Sequence, residues 1–205
     1  MKQIIYLSIA VTLCCCTKHN ANPGRYAQLN PFQKYIQENS SAVGITLHPN
    51  DLPVEIGYGF STTIDGTVIQ LGVRLPDSGK TYTVSLWDGN SQAALKQINI
   101  NVLSQSAFTY VDLTGTNDTV HIQANHPYVL SVNMIPVGVA GSGGNDFFDA
   151  RRNDQADIFP LSESPVTYQY QCNKTTYTPA FPDNVIIYKD VINGLVDIGF
   201  RYVSQ

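Results

Sequence analysis

The chain has 205 residues, a length that suits one domain. Its 12 basic and 16 acidic side chains give a formal net charge of −4, which excludes the clustered basic surface typical of proteins that bind nucleic acid. Only 14% of the residues are charged and 43% are hydrophobic, enough to form a core and too many for global disorder. Thirteen of the acids are Asp and three are Glu. Because Asp favours turns and Glu favours helices, this skew predicts strands joined by turns.

The N-terminus carries an export signal. After the basic Lys2, residues 4–13 form an apolar run that is too short to cross a bilayer as a helix, which takes about 20 residues. Leu13 ends this run and three cysteines follow it, a pattern that resembles a bacterial lipobox, in which a cysteine becomes the lipidated first residue of the mature protein. Because Leu13 stands three positions before Cys16, we predict a signal peptide over residues 1–15 and lipidation at Cys16. Cys14 and Cys15 are alternative acceptors, and an ordinary cleaved signal is the other interpretation.

The lipidation signal predicts where the protein resides. Acyl chains on Cys16 would attach the mature chain to a lipid bilayer, so we expect a lipid-anchored protein of the bacterial cell envelope, on the outer membrane, with its periplasmic or surface orientation left open. Residues 16–42 are polar and contain Pro23, Gly24 and Pro31, so they are predicted to form a tether with one short helix at Pro31–Glu38. Cys172 is then the only unmodified cysteine, and no intramolecular disulfide is expected.

From residue 43 onward the hydrophobic pattern has a period of two. Alternating runs cover residues 54–60, 69–75, 82–87, 107–113, 128–135 and 195–203. Turn residues such as Asp65-Gly66 and Asp88-Gly89-Asn90 separate them. Short alternating strands with turns every eight to twelve residues predict an all-β fold, an antiparallel β-sandwich forming a single domain over residues 43–205. Residues 136–157, Gly-rich and then Asp-rich, are predicted to form a long loop.

Four of these runs carry residue motifs in a fixed order: Glu55-x-Gly57-x-x-Phe60, Gly66-Thr67-Val68, Ser85-Leu86-Trp87-Asp88 and Tyr128-x-x-Ser131. The series resembles a bacterial exported family catalogued as domain of unknown function four thousand and eighty-two, over roughly residues 51–137. Residues 195–202 resemble the closing strand of its lipoprotein members. The resemblance implies a β-sandwich related to carbohydrate-binding or fibronectin-like modules, and it supplies no catalytic residues. The Gly-Trp pair of the family is absent, because Trp87 is the only tryptophan.

Trp87 and Asp88 are candidate ligand-binding residues. An aromatic ring stacks on sugar rings, and a neighbouring carboxylate accepts hydrogen bonds from their hydroxyl groups. The period of two places Trp87 on the opposite face of its strand from Val84 and Leu86, where it could be exposed. The alternative is that Trp87 packs at the sheet edge or in the core.

The Asp-rich loop is a candidate calcium site. Asp146, Asp149, Asp154 and Asp157 offer the hard oxygen ligands that calcium takes. Their spacing differs from that of an EF-hand, and the adjacent pair Arg151-Arg152 partly cancels their charge. A solvated loop is the alternative, and no other cofactor is indicated.

No catalytic motif appears in the sequence. It has no G-x-S-x-G elbow, no phosphate-binding glycine pattern and no H-E-x-x-H helix. We therefore predict a non-enzymatic binding or structural module whose partner is a glycan or an envelope protein. One alternative is an accessory hydrolase or small envelope enzyme that uses a carboxylate pair invisible in the sequence. The other is an adhesin-like subunit, which would show a long unpaired sheet edge.

Overall fold

A computed structural model describes residues 25–113, 118–139 and 145–204. The predicted signal peptide, Cys16 and the first part of the predicted tether lie outside these residues. The described elements are β1 (Tyr26–Leu29), α1 (Pro31–Glu38), β2 (Val43–His48), β3 (Val54–Thr62), β4 (Gly66–Arg74), β5 (Thr81–Asp88), β6 (Ala94–Asn101), β7 (Thr109–Asp112), β8 (Val120–Ile122), β9 (Tyr128–Asn133), β10 (Phe147–Arg152), β11 (Leu161–Glu163), β12 (Val166–Thr175), β13 (Asn184–Ile186), β14 (Val191–Asn193) and β15 (Leu195–Val203).

The strands form antiparallel sheets that pack together as a β-sandwich, which confirms the predicted fold class. One sheet has the order β1-β15-β4-β7, with β8 also paired to β4. The large sheet has the order β11-β12-β3-β9-β5-β6, with β13 also paired to β12. A small sheet, β14-β10-β2, completes the domain.

Alternation along the strands builds the core. In β5, Tyr82, Val84 and Leu86 are fully buried and belong to the main hydrophobic cluster. Tyr58 and Phe60 do the same in β3. The opposite face of these strands is the outer face of the large sheet, and its side chains are mainly polar. The period of two therefore separates an apolar core face from a polar outer face.

Residues 26–38, which were predicted to belong to a tether, are part of the domain. The helix α1 has the bounds predicted for it, but it is part of the sandwich: Phe32 is fully buried and its ring stacks on Tyr168 with centroids 4.1 Å apart. Strand β1 pairs with β15 and buries Leu29. The domain thus begins by Tyr26 rather than at residue 43. This helix, the only one in the described ranges, is too short to span a membrane.

The predicted loop over residues 136–157 is also corrected, because it contains β10. This strand pairs with β2 along six residues and with β14 along three. Its partners lie far away in sequence, and pairing with them satisfies backbone N–H and C=O groups of the strand.

Candidate functional site

Trp87 lies on the outer face of the large sheet, as its position in β5 predicts, but it is only 6% exposed. Val129 and Cys172 pack against it, and Phe181 meets its ring edge-on at a centroid distance of 6.1 Å. Its indole Nε1 donates a hydrogen bond of 2.8 Å to Ser131 Oγ. Trp87 therefore cannot stack on a sugar ring, and the packing alternative describes it. The segment that follows β12 covers Trp87. The alternation along β5 predicts only the face on which Trp87 lies and not whether another segment covers it.

Asp88 is occupied by the turn between β5 and β6. Its Oδ1 accepts hydrogen bonds from the backbone N–H groups of Asn90 and Ser91, and its Oδ2 lies 2.7 Å from His126 Nε2. The N–H of Ser91 is the main cause that lowers the pKa of Asp88, and His126 adds to it. Both oxygens already have partners, so Asp88 is a turn residue and not a free acceptor for a ligand.

The four aspartates of the candidate calcium site have separate partners. Asp146 accepts the N–H of Asn50, Asp149 pairs with His48, and Asp154 forms two hydrogen bonds with Arg152. Asp157 is exposed. Within the described ranges, no group of three or more His, Cys, Asp or Glu side chains could hold a metal ion. The structure therefore does not bring these four side chains together, because β10 is an extended strand and not a loop that wraps around an ion.

The middle of the outer face holds a buried carboxyl group. Glu55 in β3 is fully buried and lies between Asn133 of β9 and Lys174 of β12 in the strand register. Ser131 Oγ donates a hydrogen bond to Glu55 Oε1 and accepts one from the Trp87 indole. A hydrogen-bond chain thus connects the carboxyl of Glu55 to the only tryptophan.

The environment of Glu55 favours its neutral form. Burial raises the pKa of its carboxyl to about 7. Ser131, Asn133 and the backbone of Ala180 oppose that rise. Even so, no described residue makes a well-aligned hydrogen bond to Glu55 Oε2 or to Asn133 Nδ2, and both atoms are buried. The groups around Glu55 therefore compensate only in part for the hydration that its carboxyl has lost.

Residues 176–183, which we call the covering segment, cross this part of the outer face. Phe181 rests against Trp87, and the Pro182 ring lies over Gly57, where an added Cβ would come within 3.1 Å of it. At the end of the segment Asp183 forms an ion pair of 2.7 Å with Lys174. The covering segment is thus held by the contact of Phe181 with Trp87, by the packing of Pro182 on Gly57 and by the surface ion pair of Asp183 with Lys174.

A cleft of about 410 Å³ opens beside the covering segment. Tyr177 and Pro179 of the segment line one part of it, residues 135–139 line another, and the strands contribute Thr83 and Asn133. Tyr177 is 64% exposed, so its ring is available to a ligand. The cleft combines the exposed ring of Tyr177 with the hydroxyl of Thr83, whereas Asn133 is 2% exposed and its Oδ1 accepts the N–H of Ile135.

A row of polar pairs continues from Thr83 along β5 and β6. Thr83 Oγ1 donates to Asn99 Oδ1 at 2.9 Å, and equivalent pairs lie two residues away on either side. We call these side chains the polar ladder: Thr81, Thr83, Ser85, Gln97, Asn99 and Asn101. The three amide residues are exposed. The ladder presents amide and hydroxyl groups that both donate and accept hydrogen bonds.

A second cleft of about 530 Å³ lies along β2 and β10. In it His48 Nδ1 is 2.9 Å from Asp149 Oδ2, and the imidazole stacks on Phe147. Burial raises the pKa of Asp149, and His48 opposes the rise. Asp149 is the only carboxylate among the described residues that line this cleft. It lacks the two carboxylates that glycoside hydrolysis requires.

The buried acids of the domain bind donors and not one another. Asp197 accepts the backbone N–H groups of Phe32 and Gln33 at the start of α1, and also the hydroxyl of Tyr110 at 2.8 Å. Burial raises the pKa of Asp197 to about 6. Glu163, which is 9% exposed, pairs with Lys34 at 2.6 Å. These acids have structural partners, so none of them supports the carboxylate-pair alternative.

The sequence did not indicate Tyr177, Thr83, Asn133 or Glu55 as site residues. Tyr177 is one of twelve tyrosines and lies in a connection without periodicity. Glu55 carried a detectable signal, because it is one of only three glutamates and stands inside an apolar strand. A charged residue in such a strand is rarely buried without a reason.

Comparison with known proteins adds no relative. No protein-family model matches the chain, and no match is found among curated proteins. The resemblance to the exported domain family therefore stays a prediction that depends on the motifs quoted above.

Proposed function

We propose that the chain is a lipid-anchored module of the bacterial envelope that binds a saccharide on the outer face of its large sheet. The observation that carries this proposal is the exposed ring of Tyr177 at a cleft that also holds Thr83 and Asn133. The polar ladder extends the same surface. The sequence pointed to Trp87 as the stacking residue, whereas Tyr177 is the exposed aromatic side chain that lines this cleft.

The chemistry of this surface matches that of a sugar. The apolar face of a pyranose ring packs on an aromatic ring, while its hydroxyl groups need partners that both donate and accept hydrogen bonds. The amides of Asn99 and Asn101 and the hydroxyl of Thr83 are of this kind. The surface carries few charges, which favours a saccharide rich in hydroxyl groups over a strongly ionic ligand.

A glycan-binding screen tests the saccharide proposal. The parent domain, Tyr177→Ala and Tyr188→Ala would be compared on host and bacterial glycans. Tyr188 is a matched control, because it is 66% exposed but does not line the cleft. We expect parent and Tyr188→Ala to bind the same glycans and Tyr177→Ala to lose at least tenfold in affinity. Equal binding by all three proteins would contradict the proposal.

The anchor rests on the N-terminal signal and the three cysteines that follow it. With the domain beginning by Tyr26, the chain between Cys16 and β1 spans at most about 35 Å when fully extended. The module would then stay close to the bilayer. Metabolic labelling with a lipid precursor tests the acceptor: label should be lost in Cys16→Ala, and unchanged labelling would refute Cys16.

An adhesin-like role is a second candidate, because β6 is an eight-residue strand at one end of the large sheet. Such an edge can accept a strand from a partner. Lys96 in β6 forms an ion pair of 3.0 Å with Asp118, and charges on an edge oppose strand addition. Concentration-dependent oligomers that disappear in Asn99→Pro would favour this role, and a monomer at all concentrations would remove it.

A further inference from the structure

Glu55 lies at the junction of the covering segment and the saccharide cleft. Its register neighbour Asn133 lines the cleft, and the backbone of Ala180 in the covering segment is near enough to lower its pKa. Through Ser131 it is hydrogen-bonded to Trp87, on which Phe181 of the same segment packs. The segment that covers Glu55 also supplies Tyr177 and Pro179 to the cleft. A movement of the covering segment over Glu55 would therefore also move Tyr177 and Pro179 and change the shape of the cleft.

The charge state of Glu55 affects how stably the covering segment packs over it. A neutral carboxyl group loses little hydration when the segment buries it, whereas a carboxylate loses more than its hydrogen bonds to Ser131, Asn133 and Ala180 restore. Displacing the segment would expose the group to water and bring its pKa back toward the ordinary value of 4.5. Ionisation is thus favoured in the open arrangement, and protonation is favoured in the closed one.

The titratable groups around Glu55 are Cys172, Tyr170, Lys174 and Asp183, and none of them accounts for a change of charge under the covering segment near pH 7. Burial raises the pKa of the Cys172 thiol to about 12, so this group stays neutral near pH 7. Burial also raises the pKa of Tyr170, whose ring crosses Gly59. Lys174 is the cation next to Glu55 in the register, and its ammonium group is held by Asp183 of the covering segment.

We infer that Glu55 is a proton-dependent latch: the covering segment is closed over it when the carboxyl is protonated and opens when the carboxyl ionises. As a regulation of saccharide binding, this inference rests on the proposed function. A cleft wall that is ordered at acidic pH and loosened at alkaline pH gives tighter binding in the acid range.

The pH range follows from linkage. Because the pKa of Glu55 is raised from 4.5 to about 7 by burial, the protonated group stabilises the closed segment fully below pH 4.5, and this stabilisation is lost as the pH rises to about 7. Over that range the open fraction should grow by up to about tenfold per pH unit, and above pH 7 it should level off.

Trp87 fluorescence and hydrogen exchange test the latch on the mature chain, residues 16–205. Trp87 is the only tryptophan, so its emission reports on this site alone. We expect its emission to titrate with a midpoint near 7. Exchange protection should fall over the range given above at Thr176, whose N–H donates to the Pro53 carbonyl, and at Ala180. Both signals should be flat in Glu55→Gln, which mimics the protonated group, and preserved in the control Glu163→Gln. If Glu55→Gln fails to fold, the parent titration alone still decides.

A parent whose Trp87 emission and segment protection do not change between pH 4.5 and 8, or a Glu55→Gln chain that keeps the full titration, would overturn the latch. The glycan screen at pH 5.5 and pH 8 separates this outcome from failure of the proposed function. Binding that is equal at both pH values removes the latch and leaves the saccharide site. Titration of Trp87 with no glycan bound at either pH supports the latch and removes the saccharide site.

Discussion

At the scale of single residues, two buried carboxyl groups differ in their partners. Asp197 receives donors on both oxygens: the N–H groups of Phe32 and Ile198 on Oδ1, and those of Gln33 and the Tyr110 hydroxyl on Oδ2. Glu55 receives a hydroxyl on one oxygen and no well-aligned donor from the described residues on the other. The two acids are equally buried but differ in their donors. Asp197 therefore has a structural role as the cap of α1, whereas the protonation state of Glu55 can change with pH.

Replacing Asp197 by Asn should destabilise the domain by about 2 kcal/mol, because a backbone N–H group faces each of its oxygens and would meet the new NH₂ group on one side. Urea unfolding at pH 8 measures this difference. Since the pKa of Asp197 is raised from 3.8 to about 6, its neutral form stabilises the parent fully below pH 3.8, and that contribution is lost as the pH rises to 6. The variant should lose this part of the pH dependence. A variant as stable as the parent would show that Asp197 does not cap α1.

At the scale of secondary-structure elements, glycines in the strands allow aromatic rings of neighbouring strands to pack directly on the backbone, because no Cβ is in the way. Gly72 in β4 lies beneath the ring of Tyr110, and an added Cβ would approach that ring to 2.4 Å. Without this glycine Tyr110 could not cross β4 to reach Asp197 on β15. A small residue in one strand thus permits a hydrogen bond between its two neighbours.

Gly72→Ala should cost about 1–3 kcal/mol, because the ring of Tyr110 must move away and its hydroxyl loses Asp197. Gly44→Ala is a matched control in another strand: its Cβ would meet Asn153 Oδ1 at 3.5 Å, an ordinary contact. We expect the control to stay within about 0.5 kcal/mol of the parent. Equal chemical-denaturation midpoints for the two variants would contradict the argument.

The period of two predicted most of the core-facing strands and placed Trp87 on the outer face of β5. It did not predict β10 or the coverage of Trp87, because both depend on contacts between segments far apart in sequence. β10 lacks a regular alternation of apolar and polar residues, and its pairing with β2 joins residues that are about a hundred positions apart. Phe181 and Tyr177 lie in a connection, where neither period nor composition indicates which side chain is buried.

At the scale of the whole molecule, β1 and α1 belong to the domain and not to a spacer. Leu29 and Phe32 enter the main hydrophobic cluster, and α1 supplies the donors that satisfy Asp197. The polar composition of residues 16–42 predicted a tether because the buried residues of its described part, Leu29, Pro31 and Phe32, are too few to form a clear pattern. The remaining link to Cys16 is short, which places the domain near the bilayer if Cys16 is lipidated.

Removing residues before Val43 should therefore unfold the domain. A chain that begins at Val43 leaves Tyr168 without its stacked partner Phe32 and Asp197 without two of its donors. We expect a chain that begins at Arg25 to unfold cooperatively in urea, with a near-ultraviolet circular dichroism spectrum of packed aromatic rings. The shorter chain should show neither property. Cooperative unfolding of the shorter chain would restore the boundary at residue 43.

The central claim is that the outer face of the large sheet binds a saccharide, and mapping by nuclear magnetic resonance tests it most directly. The best saccharide from the screen would be titrated into the ¹⁵N-labelled domain while backbone and side-chain amide signals are followed. We predict saturable shifts at Tyr177, Thr83 and Asn133 and at the side-chain amides of the polar ladder, with no change in the cleft around His48. Shifts centred on His48 and Asp149 instead, or none at saturating saccharide, would contradict the account.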